Sequence, residues 1–325
     1  MILATLALVV GSRQFAGTPV YFVRNDSIYR SFQGNEALIK SHAVGPSPSP
    51  DGKRLAYLSD GNLYVMDLGK GTSKKYTTFP PKADNDNYRD TFPSWDPTSK
   101  YVIFSHLDLY SITRKGGTAV DTMFGTEHAL RSIWSVYWVW ADKVVRAKGD
   151  LSLFLGNETS GMTKFSVVSS LAASFSPDGK RVAFCRNGDL WLADIDLSSV
   201  HNVAKIANWD EARILPSAIL EGGTRGSNET NAIFRVSWSP DAKLLAISCD
   251  RYGGSGGADV QVVKADNPTE RVVSFPGWDA TFADSNHVLY VKPYAESENV
   301  WVYNTDTKEE KVLIAHASEP AVGKA

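Results

Sequence analysis

The sequence predicts an all-β chain folded as a β-propeller of four-stranded blades. A turn-forming phrase recurs at long intervals. Each recurrence is followed by the same succession of apolar runs and polar turns, and the two ends of the chain look like complementary parts of one unit. Ser49-Pro50-Asp51-Gly52-Lys53 and Ser176-Pro177-Asp178-Gly179-Lys180 are identical, and Ser239-Pro240-Asp241-Ala242-Lys243 differs from them only at Ala242. Pro pre-sets φ, Asp accepts hydrogen bonds from nearby backbone, and Gly tolerates positive φ, so the phrase has the chemistry of a tight turn.

Aligned on that phrase, the copies read PSPSPDGKRLAYLSDGNLYVMDL from Pro46, PSWDPTSKYVIFSHLDLYSITR from Pro93 and ASFSPDGKRVAFCRNGDLWLADI from Ala173. Two more are VSWSPDAKLLAISCDRYGGSGGADVQVV from Val236 and a looser ATFADSNHVLYVKPYAESENVWVYNT from Ala280. A large apolar residue (Trp95, Phe175, Trp238, Phe282) precedes the turn, and a small polar one (Ser94, Ser174, Ser237, Thr281) precedes that. Each copy gives a short first strand, the turn, an apolar second strand, a polar turn, an alternating third strand and a more polar fourth. Between Thr113 and Ala172 the repeat is degenerate, but SVYWVWADKVVRAKGDLSLFLGN keeps the order and counts as a further copy. The period is then roughly 45 residues, as for propeller blades. Seven blades are expected, with six as the alternative if the degenerate region is an insertion. One short helix is expected near Asn208 to Leu215.

Residues Val20 to Lys40 supply strands two to four of a copy without a first strand, and Pro320-Ala321-Val322 matches Pro93-Ser94-Trp95. The C-terminal strand is therefore expected to pair with the N-terminal blade and close the ring, which hides two sheet edges.

With 34 Lys and Arg against 36 Asp and Glu, the chain has no basic face of the kind that neutralises phosphates, so nucleic acid is not an expected partner. A hydrophobic fraction of 43% and a charged fraction of 22% suit a globular core. Ile2 to Val10 is an unbroken apolar run, too short to span a bilayer, with small residues following it. Residues 1–17 are read as a signal peptide, although no Lys or Arg precedes the run, and 18–325 as a single propeller domain. The expected location is therefore the periplasm or outside the cell, with no integral membrane segment. Cys185 and Cys249 lie in no CxxC pattern and are read as buried small hydrophobes.

These repeats resemble the TolB-like β-propeller family, whose blades carry a WSPDGK signature. The likeness is strong at Ser49–Lys53, Ser176–Lys180 and Ser239–Lys243, fair at Asp96–Lys100 and Ala283–His287, and faint between 130 and 165. Related propellers accompany peptidases, but no hydrolase domain is visible here, nor the added N-terminal domain of TolB. The resemblance implies a propeller scaffold, often exported, used for protein contacts or as a gate on an attached enzyme, and no particular chemistry.

The expected function is accordingly that of an exported, non-enzymatic, monomeric binding protein without a cofactor. It would recognise a protein, peptide or other ligand on the face formed by the loops before each first strand. The alternative is a secreted lyase or hydrolase acting on polysaccharide or peptide at the same mouth. Candidate binding residues are Arg89, Arg131 and Arg235, read as lying shortly before first strands where they could attract a carboxylate. His128 sits in another such loop, and Trp134 and Trp138 belong to an aromatic group that suits either blade packing or a partner platform. Asp84, Asp86 and Asp90 alternate as calcium ligands can, but the EF-hand Gly and distal Glu are missing, and a solvated acidic loop is favoured. Gly253 to Gly257 formally matches G-x-S-x-G but reads as a flexible hairpin.

Overall fold

A computed structural model describes residues 17–60, 62–76, 92–95, 97–99, 101–110, 112–114, 117–119, 131–140, 143–146, 152–157, 161–167, 173–186, 189–194, 213–215, 231–251, 258–292 and 298–324. The chain begins with β1 (Val20–Arg24), β2 (Ser27–Phe32) and β3 (Asn35–Ser41), followed by β4 (Val44–Pro48), β5 (Arg54–Ser59), β6 (Asn62–Asp67) and β7 (Thr72–Lys75). Next come β8 (Ser94–Trp95), β9 (Tyr101–Tyr110), the hairpin β10 (Ile112–Arg114) and β11 (Gly117–Ala119), β12 (Arg131–Trp140) and β13 (Lys143–Arg146). A second hairpin, β14 (Ser152–Asn157) and β15 (Gly161–Val167), precedes β16 (Ala173–Phe175), β17 (Arg181–Arg186), β18 (Asp189–Asp194) and β19 (Arg213–Leu215). Then follow β20 (Asn231–Trp238), β21 (Leu244–Arg251), β22 (Asp259–Lys264) and β23 (Arg271–Pro276). The chain finishes with β24 (Trp278–Phe282), β25 (His287–Val291), β26 (Val300–Asn304), β27 (Glu310–Ile314) and β28 (Ser318–Val322).

The strands form an all-β propeller of four-stranded antiparallel blades. Among the described residues there are six four-stranded sheets and two isolated hairpins, where seven blades were expected. The discrepancy lies in the degenerate copy. Its apolar run β12 pairs along its whole length with the equally long β9, so it becomes the third strand of the β8 blade and starts no blade of its own. The expected helix near Asn208 to Leu215 is also corrected, because Arg213–Leu215 is the fourth strand of its blade, paired to Leu190–Leu192. Among the described residues no helix is long and apolar enough to cross a membrane.

The first strands neighbour one another in the order β28, β4, β8, β16, β20 and β24, and β24 meets β28. β28 pairs antiparallel with β1, with Val20 opposite Val322 and Tyr21 opposite Ala321. The cores lie between blades. Ala183, Leu190 and Leu192 meet Val236, Trp238 and Leu245 in one cluster, and Ala246 and Val260 meet Phe282 and Tyr290 in the next. Val20 and Phe22 pack on Leu289 and Val302 across the junction of the first and last blades. Such packing is tight at Gly277, where a Cβ would lie 2.4 Å from Tyr290 Cδ2 and 3.0 Å from the Val291 carbonyl oxygen. Because Tyr290 is fully buried against Phe275, it has no room to yield. Gly277→Ala is expected to cost about 2 kcal/mol by overpacking, measured as a lowered midpoint in urea with an unchanged slope.

The repeated phrase is a turn, as its chemistry predicts. Ser49, Ser176 and Ser239 each donate a 2.6 Å bond to Asp51, Asp178 and Asp241 respectively. The same hydroxyls accept the backbone N–H of Arg54, Arg181 and Leu244 at 2.9 Å. Position four is left-handed whether or not it is glycine, with φ of 71° at Gly52, 70° at Gly179, 58° at Ala242 and 60° at Ser99. Geometry rather than side-chain identity is what the repeat preserves.

All three aspartates are held below the usual carboxylate range. For Asp241 the Ser239 hydroxyl is the largest cause. For Asp51 and Asp178 the largest single influence, partial burial, pulls upward. The serine hydroxyl, the backbone N–H of the following lysine and the nearby arginine and lysine charges together outweigh it. A depressed folded pKa contributes stability above the unfolded value of about 3.9, and that stability is lost as pH falls through the folded values. The combined Asp51→Asn, Asp178→Asn, Asp241→Asn variant is therefore expected to lose stability mainly at neutral pH and to unfold less steeply below pH ~4. Midpoints of urea unfolding across pH would show it, and parallel wild-type and variant profiles would refute it.

Candidate functional site

The first strands surround a cavity of about 180 Å³. Two layers of side chains matter. The residue two places before each turn phrase forms one layer: Ser47, Ser94, Ser174, Ser237, Thr281 and Ala321. Five of these six carry a hydroxyl. They are only loosely tied to one another, at 3.4 Å from Ser94 to Ser174 and 3.3 Å between Ser237 and Thr281, beyond the usual 2.7–2.8 Å for hydroxyl pairs. Their backbone carbonyls are used differently. Trp95 Nε1 donates to the Ser47 carbonyl at 2.8 Å, and Trp238 Nε1 to that of Ser174 at 3.0 Å. Each tryptophan thus ties its own first strand to that of the preceding blade.

Two residues earlier in each first strand lies the second layer, which holds Gly45, Phe92, Arg235, Asp279 and Glu319. Gly45, Asp279 and Glu319 have left-handed φ of 61°, 54° and 51°, and each sits where its strand's register shifts. Bulges of this kind re-aim side chains and are common beside functional sites. β20 has its own shift, just before Arg235.

Arg235 is only 7% exposed yet lines the cavity. Its guanidinium donates to the Asp279 carbonyl oxygen at 3.0 Å and lies 4.0 Å from the centroid of the Phe92 ring. Burial pushes its pKa down to about 10, opposed by the charges of Asp279 and Glu319, so it stays cationic at neutral pH. Glu319 accepts a 2.7 Å bond from the Gly45 N–H. The carboxylates of Asp279 and Glu319 are not part of the cavity lining, so Arg235 is the one charged side chain among the lining residues. Pro46, Pro48, Pro50 and Pro93 also line the cavity.

Of the residues singled out in the sequence, Arg235 falls at this site. It lies within the first strand β20 rather than in the loop before it. Arg131, Trp134 and Trp138 do not precede a first strand. They occupy β12, opposite Tyr110, Leu107 and Ile103 of β9, two strands removed from the channel-lining β8. Arg89, His128, Asp84, Asp86, Asp90 and the Gly253 to Gly257 stretch lie outside the described residues. His287 is tied to Asp284 at 2.9 Å and to Asn304 at 3.0 Å, a structural arrangement. Sequence reasoning missed the hydroxyl layer as a surface, although the small polar residue before each aromatic was its signal. It also missed Asp279 and Glu319, which stand out only once the copies are aligned on their bulges.

No family model and no curated protein matches the sequence. Solved structures do share its fold. TolB from Acinetobacter baumannii is similar over 95% of this chain and 67% of that one, at 18% identity and a TM-score of 0.59. A TolB from Agrobacterium tumefaciens is similar over 92% and 90%, at 16% identity and a TM-score of 0.50. A chain of a nidogen–laminin complex is similar over 94% and 98%, at 8% identity and a TM-score of 0.56.

Proposed function

We propose that this TolB-like β-propeller is an exported, non-enzymatic binding protein, a closed ring of six blades that holds a protein or peptide on its loop face. The observation that carries the reading is how the charged groups in and beside the channel are used. Arg235 donates to the backbone of the next blade at Asp279, and Glu319 accepts from the backbone of the blade beyond it at Gly45. Groups that could have been an acid or a base are committed to joining blades, which favours a rigid, preorganised ring over a reaction centre. Likeness to a chain from a protein–protein complex supports a protein partner. Residues 1–17 would direct export and be removed.

The test sets binding against turnover. Purified protein is incubated with polygalacturonate and with pooled short peptides, and product formation and saturable binding are both followed. Binding without turnover is expected. Turnover that is abolished by His128→Ala or Arg235→Gln would overturn the reading in favour of a lyase or hydrolase.

A further inference from the structure

We propose that the central cavity is a carboxylate-binding subsite in which Arg235 and the hydroxyl layer together receive a single carboxylate group. The inference rests on the reading of the ring as a binding protein and names the chemistry its channel selects.

The argument starts from donors. A guanidinium has five N–H groups in a fixed planar fork. Among the described residues Arg235 makes one hydrogen bond, to the Asp279 carbonyl. That bond and the Phe92 ring fix the orientation of the side chain, while Arg235 remains part of the cavity wall. A buried cation in a cavity wall that holds more donors than it uses can be completed by an oxyanion, because charge-assisted bonds are about twice as strong as neutral ones.

The second step concerns the hydroxyls. A serine or threonine hydroxyl can rotate to donate or accept. The pairs Ser94–Ser174 and Ser237–Thr281 are long, so exchanging them for a shorter bond to a carboxylate oxygen loses little. One layer along a strand separates them from Arg235, about 7 Å at 3.3–3.4 Å per residue. A carboxylate between the two layers meets the guanidinium on one side and hydroxyls on the other.

Charge and size set the class. Asp279 and Glu319 act on Arg235 from outside the lining, so the site favours a monoanion over a phosphate dianion. The volume, about 180 Å³, equals roughly six waters, enough for a carboxylate with a short chain beside the lining prolines. A free small acid and the C-terminus of a peptide offer the same group.

Calorimetry on the full chain distinguishes them. The probes are propionate and two pools of random tetrapeptides, one with free C-terminal carboxylates and one amidated. The acid pool is expected to bind at least tenfold more tightly than the amide pool, and Arg235→Gln is expected to erase that difference. Because Arg235 is buried and Arg235→Gln could fail to fold, Ser94→Ala with Ser174→Ala serves as a second variant. Among the described residues those hydroxyls bond to each other, and their loss should weaken acid binding three- to tenfold. Propionate binding without peptide binding, or the reverse, supports the site and identifies the source. Equal binding of acid and amide pools, or acid binding unchanged in both variants, overturns the carboxylate site while leaving a peptide-binding ring. Failure of both pools and of propionate overturns both readings.

Discussion

A chain lacking Ala317 to Ala325 is expected to melt about 5–10 °C below the full-length protein, and to do so with a less cooperative transition. The removed segment contains the whole of β28, which pairs with β1 through Val322, Ala321 and Ser318. Its loss leaves β1 as an exposed inner edge. It also removes Ala317 and Ala321 from two cores and the Glu319 bond to Gly45. Ladder bonds at about 1 kcal/mol each and the lost burial sum to roughly 5 kcal/mol. Each kcal/mol is worth about 1.5 °C in a domain of roughly 300 residues, at ~2.1 cal/mol/K of unfolding entropy per residue. Removing only Lys324 and Ala325 is the control. It spares every β28 pair. Circular dichroism melts decide the matter, and a nine-residue truncation that melts like the control would show that the junction of β28 with β1 does not hold the ring.

That junction was readable in advance because an incomplete first copy and an orphan terminal strand have only one economical partner. The turn phrase was readable for a similar reason, since Pro, Asp and Gly each have a strong local preference that tertiary packing seldom overrides. The blade count was not. The Arg131–Trp140 run carries the apolar content of a new blade, but it is long enough to pair with all of Tyr101–Tyr110. Whether such a run opens a sheet or extends one depends on its partner, which periodicity does not contain. Arg235 was noticed for its charge and misplaced by a few residues. Being a loop arginine or a channel arginine depends on where β20 starts, and β20 begins at Asn231, before the apolar repeat pattern does. Asp279 and Glu319 were invisible for a different reason. Their significance comes from a shared bulge, and a bulge has no residue signature when Gly, Asp and Glu can all adopt its left-handed φ.

The other large effect is expected at Trp238. Trp238→Ala should cost about 3–5 kcal/mol, the usual range for removing a buried large aromatic. The indole fills the core between two blades, beside Ala183, Leu190 and Leu192. Its N–H satisfies the Ser174 carbonyl of the preceding blade, and the Arg181 guanidinium lies 4.8 Å from its ring centroid. Arg181 itself donates to the carbonyls of Ala265 and Ala242 at 3.0 Å each, so the residue that follows the turn phrase clamps the next blade from the turn side. The same set recurs two junctions away, between the β4 and β8 blades. Arg54 donates to the Ser99 carbonyl and stacks 4.9 Å from Trp95, whose N–H satisfies the Ser47 carbonyl. Three variants separate the contributions. Trp238→Phe keeps much of the volume and strands the Ser174 carbonyl, and should cost about 1–2 kcal/mol. Arg181→Ala combined with Trp238→Ala should cost less than the two single losses together, by about 0.5–1 kcal/mol, the worth of a cation held over an indole. Additive losses in urea unfolding would mean that arginine and tryptophan stabilise the junction independently. The arginine after SPDGK would then serve its backbone acceptors alone.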